Sequence, residues 1–157
     1  MILIGENNPY GGAPEFALYC YPPGCAGYRL RRILGLPQHQ YLALHRTNLC
    51  VGGWSNARAR ARASELLDPH APWRVMVLLG RKVTEAFVKV VLDDVPLVPF
   101  ATRAICPGTT LVSLPHPSGR NLVWNQPSAR ERARQILRDL VPELPWGSAD
   151  AQSEAHA

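Results

Sequence analysis

Hydrophobic residues in this chain fall in short uninterrupted runs, separated by segments rich in glycine, proline and charged residues. Continuous apolar runs of this length are typical of strands that are buried on both faces, as in parallel sheets. The strongest run, WRVMVLLG, ends at Gly80. The predicted strands are residues 1–4, 41–44, 73–79, 95–100 and 110–114.

Helical patterns alternate with these runs. Residues 28–34 are predicted as a helix that ends at Gly35, a typical C-terminal cap. Residues 55–67 and 81–92 are predicted as two further helices, although the Arg-Ala alternation in the first also has a strand-like period. Ser128 and Glu131 predict a capping box for a last helix. Its inward residues are predicted to be Ala129, Ala133, Ile136, Leu137, Leu140 and Val141.

Strands that alternate with helices predict an α/β fold. We expect three α/β/α layers with a central, mostly parallel sheet of about four strands. The 157 residues are enough for one domain, which we place at residues 1–146. The remaining segment, residues 147–157, is small and polar and is predicted to be a disordered tail.

Charge indicates the kind of partner. The net charge is +5, and fifteen of the seventeen basic residues are arginine. Arginine binds phosphate through two hydrogen bonds, so the excess favours nucleic acid or a nucleotide, although a high-GC genome produces the same bias. No apolar stretch approaches the ~20 residues that span a bilayer. The N-terminus does not resemble a signal peptide, and we expect a cytoplasmic protein without membrane contact.

The cysteines indicate no cofactor. Cys20, Cys25, Cys50 and Cys106 are scattered and form no Cys-x-x-Cys pair. Buried thiols are the ordinary interpretation of such a pattern. We expect no metal, no iron–sulfur cluster and no other cofactor.

Three loops with reactive side chains follow predicted strands, after Ile4, Leu44 and Leu114. In open α/β sheets, binding sites lie beyond the carboxyl ends of the strands. These loops are therefore expected to converge on one site.

The first two loops carry amides and one carboxylate. In GENNPYGG, Glu6 is the only acid, while Asn7 and Asn8 can orient a water molecule or read a polar edge. An Asn-Pro turn closed by glycine would have the same composition. In the second loop Asn48 offers both a donor and an acceptor, but a single asparagine after a strand is often a turn residue.

The third loop, SLPHPSGRN, holds His116 between two prolines. Ser118 can donate to a phosphate, Gly119 allows close approach, and Arg120 projects from the tip. Pro-His-Pro is also a common rigid turn, so both interpretations stay open at this stage.

Taken together, GENNPYG near the start and HPSGRN near the end resemble the two signature motifs of the uracil-DNA glycosylase superfamily. The order and spacing of the motifs cover residues 2–140. The Asn-bearing single-strand-selective and mismatch-specific branches are the most similar. The match has departures: GENNPY has one residue more than usual between Gly and Pro, and Gly11 replaces a histidine of the Asp-bearing branch. The extra residue leaves open whether Asn8, Asn7 or Glu6 positions the attacking water.

The resemblance implies roles for individual residues. Asn8 would position the water, Tyr10 would crowd the pyrimidine C5 position, and Asn48 would read the edge of the flipped base. His116 would hydrogen-bond the base O2 as the glycosidic bond breaks, and Arg120 would fill the stack that the base leaves. Glu6 and Asn7 would line the base pocket. The residues implied or proposed to contact DNA are Ser118, Gly119, Arg120, Asn121, Arg81 and Lys82.

The resemblance therefore implies a monomeric, monofunctional DNA glycosylase of base excision repair. It would remove uracil or a 5-modified pyrimidine by hydrolysis after base flipping and leave an abasic site. No catalytic lysine is evident near the pocket, so lyase chemistry is not expected. Two alternatives stay open: a non-catalytic module that binds modified DNA, and an N-glycosidase that acts on free nucleosides or nucleotides.

Overall fold

The computed structural model describes residues 1–8, 12–106 and 108–147 of the chain. Its contacts divide the chain into two compact units. The first unit comprises residues 1–18 and 45–116, and the second comprises residues 19–44 and 117–157.

The described part of the first unit contains one five-stranded sheet, whose strands are β1 (Ile2–Asn8), β2 (His45–Val51), β3 (Val75–Leu79), β4 (Thr102–Cys106) and β5 (Thr109–Leu114). Their order across the sheet is β2-β1-β3-β5-β4. Strands β1, β2, β3 and β5 are parallel to one another, and β4 pairs antiparallel with β5.

One face of this sheet packs against two helices, α3 (Asn56–Leu66) and α4 (Arg81–Val91). Ile2 and Ile4 belong to that core, together with Met76 and Leu78 of β3. Side chains of the opposite face are also fully buried, among them Leu3, Val77 and Val112. Burial on both faces explains the continuous apolar runs of the sequence.

The second unit contains three helices, α1 (Ala26–Leu34), α2 (Gln38–Ala43) and α5 (Pro127–Leu140). Helix α1 ends at Gly35, whose φ of 66° is the left-handed conformation that glycine adopts most readily. Arg134 of α5 is buried, and its guanidinium donates to the carbonyl oxygens of Ile33 (2.8 Å) and Arg32 (3.1 Å) in the last turn of α1. Carbonyl groups at the end of a helix lack intrahelical partners. Arg134 supplies a donor to Ile33, and the Arg32 carbonyl accepts from the Gly35 N–H (3.1 Å) as well.

The α/β class and the mostly parallel sheet are confirmed, with five strands rather than about four. The burial of both sheet faces is compatible with the expected three layers. The helices predicted at residues 28–34, 55–67 and 81–92 are confirmed to within about two residues.

Two predicted strands are wrong. Residues 41–43 lie in α2, because a four-residue apolar run fits the buried side of a short helix as well as a strand. Residues 95–100 form no strand, since Pro96 and Pro99 lack the N–H groups that a sheet requires. The strand in this region is β4, and its residues 102–104 are exposed, so no apolar run marked it.

The predicted capping box is also wrong. Pro127 occupies the first turn of α5 and Gln126 is its N-cap residue, without a side-chain hydrogen bond. Ser128 therefore lies inside the helix. Proline is favoured at this position because the N–H it lacks would have no partner there.

The single domain at residues 1–146 stays a prediction. Of the predicted tail at residues 147–157, only Gly147 falls within the described residues, and its N–H donates to the Leu34 carbonyl oxygen at 3.2 Å. Among the described residues, no helix combines the length and the apolar character needed to cross a membrane.

Candidate active site

The candidate site lies at the carboxyl end of the sheet in the first unit, between β1 and β3. The chain runs from β1 to one neighbour, β2, and then to the neighbour on the other side, β3. Such a reversal of strand order opens a crevice at the carboxyl ends of the two strands, where α/β proteins bind ligands. Glu6 lies near the end of β1, and Gly80 directly follows β3.

Gly80 lets two reactive side chains approach the backbone. Its φ of 99° favours glycine, and its N–H donates to the Leu114 carbonyl oxygen at 2.8 Å. A Cβ at this position would lie 3.0 Å from His116 Cβ and 3.4 Å from Glu6 Oε1. The imidazole of His116 and the carboxylate of Glu6 therefore both border Gly80.

Lys82 completes this group from the first turn of α4. Its Nζ lies 3.3 Å from Glu6 Oε2 and 5.6 Å from the centre of the Trp54 ring. The Trp54 indole is itself oriented by a 2.8 Å hydrogen bond from Nε1 to Asn56 Oδ1. Glu6, Lys82 and His116 form the candidate active site, and we refer to them as the catalytic cluster.

The surroundings of His116 keep its imidazole neutral near pH 7. Burial lowers the pKa of His116 below its ordinary value, because the charged form loses hydration. Glu6 opposes this shift of the pKa and Lys82 adds to it. A neutral imidazole presents one N–H donor and one acceptor nitrogen.

The structure places the first predicted loop partly within a strand. Glu6, Asn7 and Asn8 belong to β1, because their backbone pairs with β2 although their side chains are polar. The Asn7 amide donates to the Gly52 carbonyl oxygen at 2.8 Å and so braces the turn that follows β2. Tyr10 lies outside the described residues.

Asn48 is likewise in a strand rather than in a loop. It pairs with Gly5 across β1 and β2, and a Cβ on Gly5 would collide with Asn48 Oδ1. The amide therefore lies against Gly5. Successive residues of a strand face opposite sides of the sheet, so Gly5 and Glu6 present different sides. The base-reading role of Asn48 stays a prediction.

Arg81 points away from the cluster. Its side chain is 87% exposed, and its Nε lies 3.7 Å from Glu85 Oε1. Both basic residues predicted after β3 thus begin α4, but only Lys82 contacts Glu6.

The rest of the predicted DNA-contacting loop belongs to the second unit. The Asn121 N–H donates to the Ser118 carbonyl oxygen at 3.1 Å, and Asn121 Oδ1 accepts from the Val123 N–H at 3.4 Å. Arg120 is exposed at the turn. These bonds give the loop a fixed local shape.

Sequence reasoning missed two surface residues of the second unit. The Arg29 guanidinium lies over Gly119, where a Cβ would be 3.0 Å from its Nη2. Leu122 is 70% exposed in the short helical turn Leu122–Asn125. Trp124 of the same turn is buried and packs in the interior. The signal in the sequence is the position of Leu122, an apolar residue two places after the basic loop tip at Arg120.

A separate cleft of about 590 Å³ lies near the amino end of β3. Trp73, Arg74 and Thr109 are among the residues that line it. It is at the opposite end of the strands from His116, and parallel α/β sheets bind ligands at the carboxyl end. We therefore place the candidate site at the catalytic cluster.

Comparison with known protein families and with curated protein sequences gives no match to this chain.

Proposed function

We propose that this protein is a DNA glycosylase that hydrolyses the N-glycosidic bond of uracil or a 5-modified pyrimidine. The observation that carries the proposal is the catalytic cluster, in which a half-buried imidazole and a carboxylate both border Gly80 at the β1–β3 crevice. The motif resemblance supports the same reaction class.

His116 has the properties that a leaving base requires. Breaking the glycosidic bond leaves negative charge on the base, and a preorganised donor at that oxygen stabilises the transition state. Because burial lowers the pKa of His116, the imidazole stays neutral near pH 7. Its one N–H can then donate a hydrogen bond to the base oxygen from an uncharged ring.

Glu6 is the strongest of the three candidates for handling the attacking water. Its Oε1 borders Gly80, as the His116 side chain does, whereas the amide of Asn7 is engaged with Gly52. A carboxylate can accept a proton from water and can stabilise the positive charge that develops on the sugar, which an asparagine cannot. We therefore assign Glu6 the role that the motif alignment gives to Asn8.

The second unit supplies candidates for holding DNA. Arg29 and Arg120 are exposed cations that can bind phosphates, and Leu122 is an exposed apolar side chain of the kind that fills a gap in a base stack. A flipped base must be replaced in the duplex, because unstacking costs a few kcal/mol.

The test is an excision assay on labelled oligonucleotides that carry uracil, 5-hydroxymethyluracil, hypoxanthine or mismatched thymine, in single and double strands. Loss of a preorganised donor in His116→Ala is expected to slow excision by about 10²–10³-fold. Loss of the carboxylate in Glu6→Gln is expected to slow it by about 10²–10⁴-fold. His70→Ala and Glu85→Gln, both at exposed positions, are the matched controls.

Other outcomes identify a different function. Base-selective DNA binding without any abasic product after long incubation would identify a non-catalytic reader of modified DNA. Cleavage of a mononucleotide in preference to an oligonucleotide would identify a nucleotide N-glycosidase. If excision occurs but both cluster variants retain it, the site assignment is wrong.

A further inference from the structure

Lys82 is chemically unusual in this chain. The sequence has seventeen basic residues, and only Lys82 and Lys89 are lysines. Both belong to α4, but Lys89 pairs with Asp94 near the other end of the helix. The lysine in the first turn is the one that reaches the catalytic cluster, with Nζ 3.3 Å from Glu6 Oε2.

The stability of helix α4 does not explain why a lysine occupies position 82. The first turn of α4 contains Arg81 and Lys82 and no acidic residue. Cations are unfavourable at a helix N-terminus, where the helix dipole is positive. Phosphate binding does not require a lysine either, since arginine also binds phosphate and supplies fifteen of the seventeen basic residues.

An amine can do what a guanidinium cannot. Arginine stays protonated in proteins and is not available as a nucleophile, whereas the lysine amine condenses with carbonyl groups to form imines. The product of base removal contains such a carbonyl, because the abasic sugar opens to an aldehyde at C1′. Lys82 lies beside the groups that would generate it.

We propose that Lys82 is the nucleophile of a second activity, an abasic-site lyase that cleaves the DNA strand after the base has been removed. The proposal rests on the proposed function for the origin of the aldehyde, but its chemistry needs only an abasic site. It replaces the expectation of a monofunctional enzyme, which assumed that no lysine lies near the pocket.

The reaction balances without a further reagent. Glu6 takes a proton from the paired Lys82 ammonium, and the resulting amine attacks C1′. The hydroxyl of the adduct receives that proton from Glu6 and leaves as water, which gives a protonated imine and restores the Glu6 carboxylate. Glu6 removes a proton from C2′, and the C3′–O bond breaks so that the 3′ phosphate leaves with the electron pair. Water then hydrolyses the imine, which releases an unsaturated aldehyde on the 5′ fragment and regenerates the amine. The proton on Glu6 passes to solvent.

The test uses the full chain and a duplex with one abasic site prepared beforehand, so that no glycosylase step is needed. Sodium borohydride reduces the imine to a stable protein–DNA bond, and peptide mass spectrometry locates the modified residue. We expect a covalent adduct on Lys82. Without the amine nucleophile, Lys82→Arg should lower both trapping and strand cleavage by at least about tenfold. Lys89→Arg should leave both within about twofold, because Lys89 lies outside the cluster.

Each possible result of the trapping experiment either supports or overturns the lyase proposal. The proposal fails if the unaltered protein gives no adduct, if the adduct maps to Lys89 or to the amino group of Met1, or if Lys82→Arg retains full trapping. If a modified base is excised but no adduct is trapped, the lyase proposal is wrong and the glycosylase proposal is supported. If an adduct is trapped on abasic DNA but no base is excised, the lyase proposal is supported and the glycosylase proposal is wrong. Because the adduct is located in the unaltered protein, the test does not depend on how well a variant folds.

Discussion

At the scale of single residues, the chemistry of His116 depends on two neighbours of opposite charge. Burial is the main reason that its pKa is lowered, Glu6 opposes the effect, and Lys82 adds to it. The sequence could predict His116 and Glu6 as site residues, because each belongs to a recognisable motif. It could not predict that Gly80 brings them together, since that contact joins residues far apart in the chain.

The two neighbours should move the His116 titration in opposite directions. Removing the positive charge in Lys82→Met is expected to raise the pKa of His116 towards 6.5, its ordinary value. Removing the negative charge in Glu6→Gln is expected to lower it further. NMR titration of the imidazole carbons measures both. Glu85→Gln should leave the titration in place, and equal shifts in all three variants would contradict the assignment.

The lowered pKa of His116 also makes the stability of the folded protein depend on pH. The folded protein binds fewer protons at this residue than the unfolded chain does, because the pKa is lower in the folded state. The neutral form therefore supports folding above pH 6.5. This contribution is lost as the pH falls below that value towards the lower pKa of the folded state.

At the scale of elements, the helices and strands that could be predicted are those whose buried positions are apolar and whose exposed positions are polar. Helices α3 and α4 and strand β3 were predictable because their buried residues form regular patterns. Strand β4 was not, because it is an exposed antiparallel edge whose pairing is made by the backbone alone. The polar half of β1 was missed for a similar reason: backbone pairing with β2 does not require apolar side chains.

Arg134 should be a major contributor to the stability of the second unit. Its buried guanidinium donates to two carbonyl groups at the end of α1. Arg134→Met would remove the side-chain donor to the Ile33 carbonyl, while the Arg32 carbonyl would keep its bond from the Gly35 N–H. Unsatisfied buried acceptors cost about 1–3 kcal/mol each, so we expect a loss of at least about 1 kcal/mol in the free energy of unfolding. Urea unfolding followed by circular dichroism measures it. Arg60→Met, at an exposed helix position, should change the value by less than about 0.5 kcal/mol.

At the scale of the whole molecule, the net charge predicts an anionic partner, but the sequence does not predict how the chain divides into two units. The net charge of +5 is a property of the printed sequence and favours an anionic partner. The division into two units depends on which distant segments pack together, and each unit combines two separate stretches of chain. No boundary in composition marks those stretches.

Binding to duplex DNA should weaken with salt in proportion to the number of phosphates contacted. Each lost phosphate contact is expected to reduce the slope of log K against log [salt] by about 0.9, so Arg29→Gln and Arg120→Gln should each do so. Fluorescence anisotropy with an uncleaved duplex gives the slope. Arg138→Gln is the control, because the Arg138 guanidinium pairs with Glu131. A slope that is unchanged in both test variants would show that the second unit does not grip the backbone there.

The strand order has a consequence for how the site behaves when the protein fluctuates. The members of the catalytic cluster are attached to β1, to the helix that follows β3, and to the loop that follows β5, and these three strands are the interior of the sheet. Edge strands fray first, because they have hydrogen-bonded neighbours on one side only, and local opening is least frequent at the centre. Glu6 lies beyond Ile4, in the part of β1 that is paired with β2 but not with β3. Fraying of β4 can therefore occur without moving Glu6, whereas fraying of β2 would release the segment that carries its carboxylate.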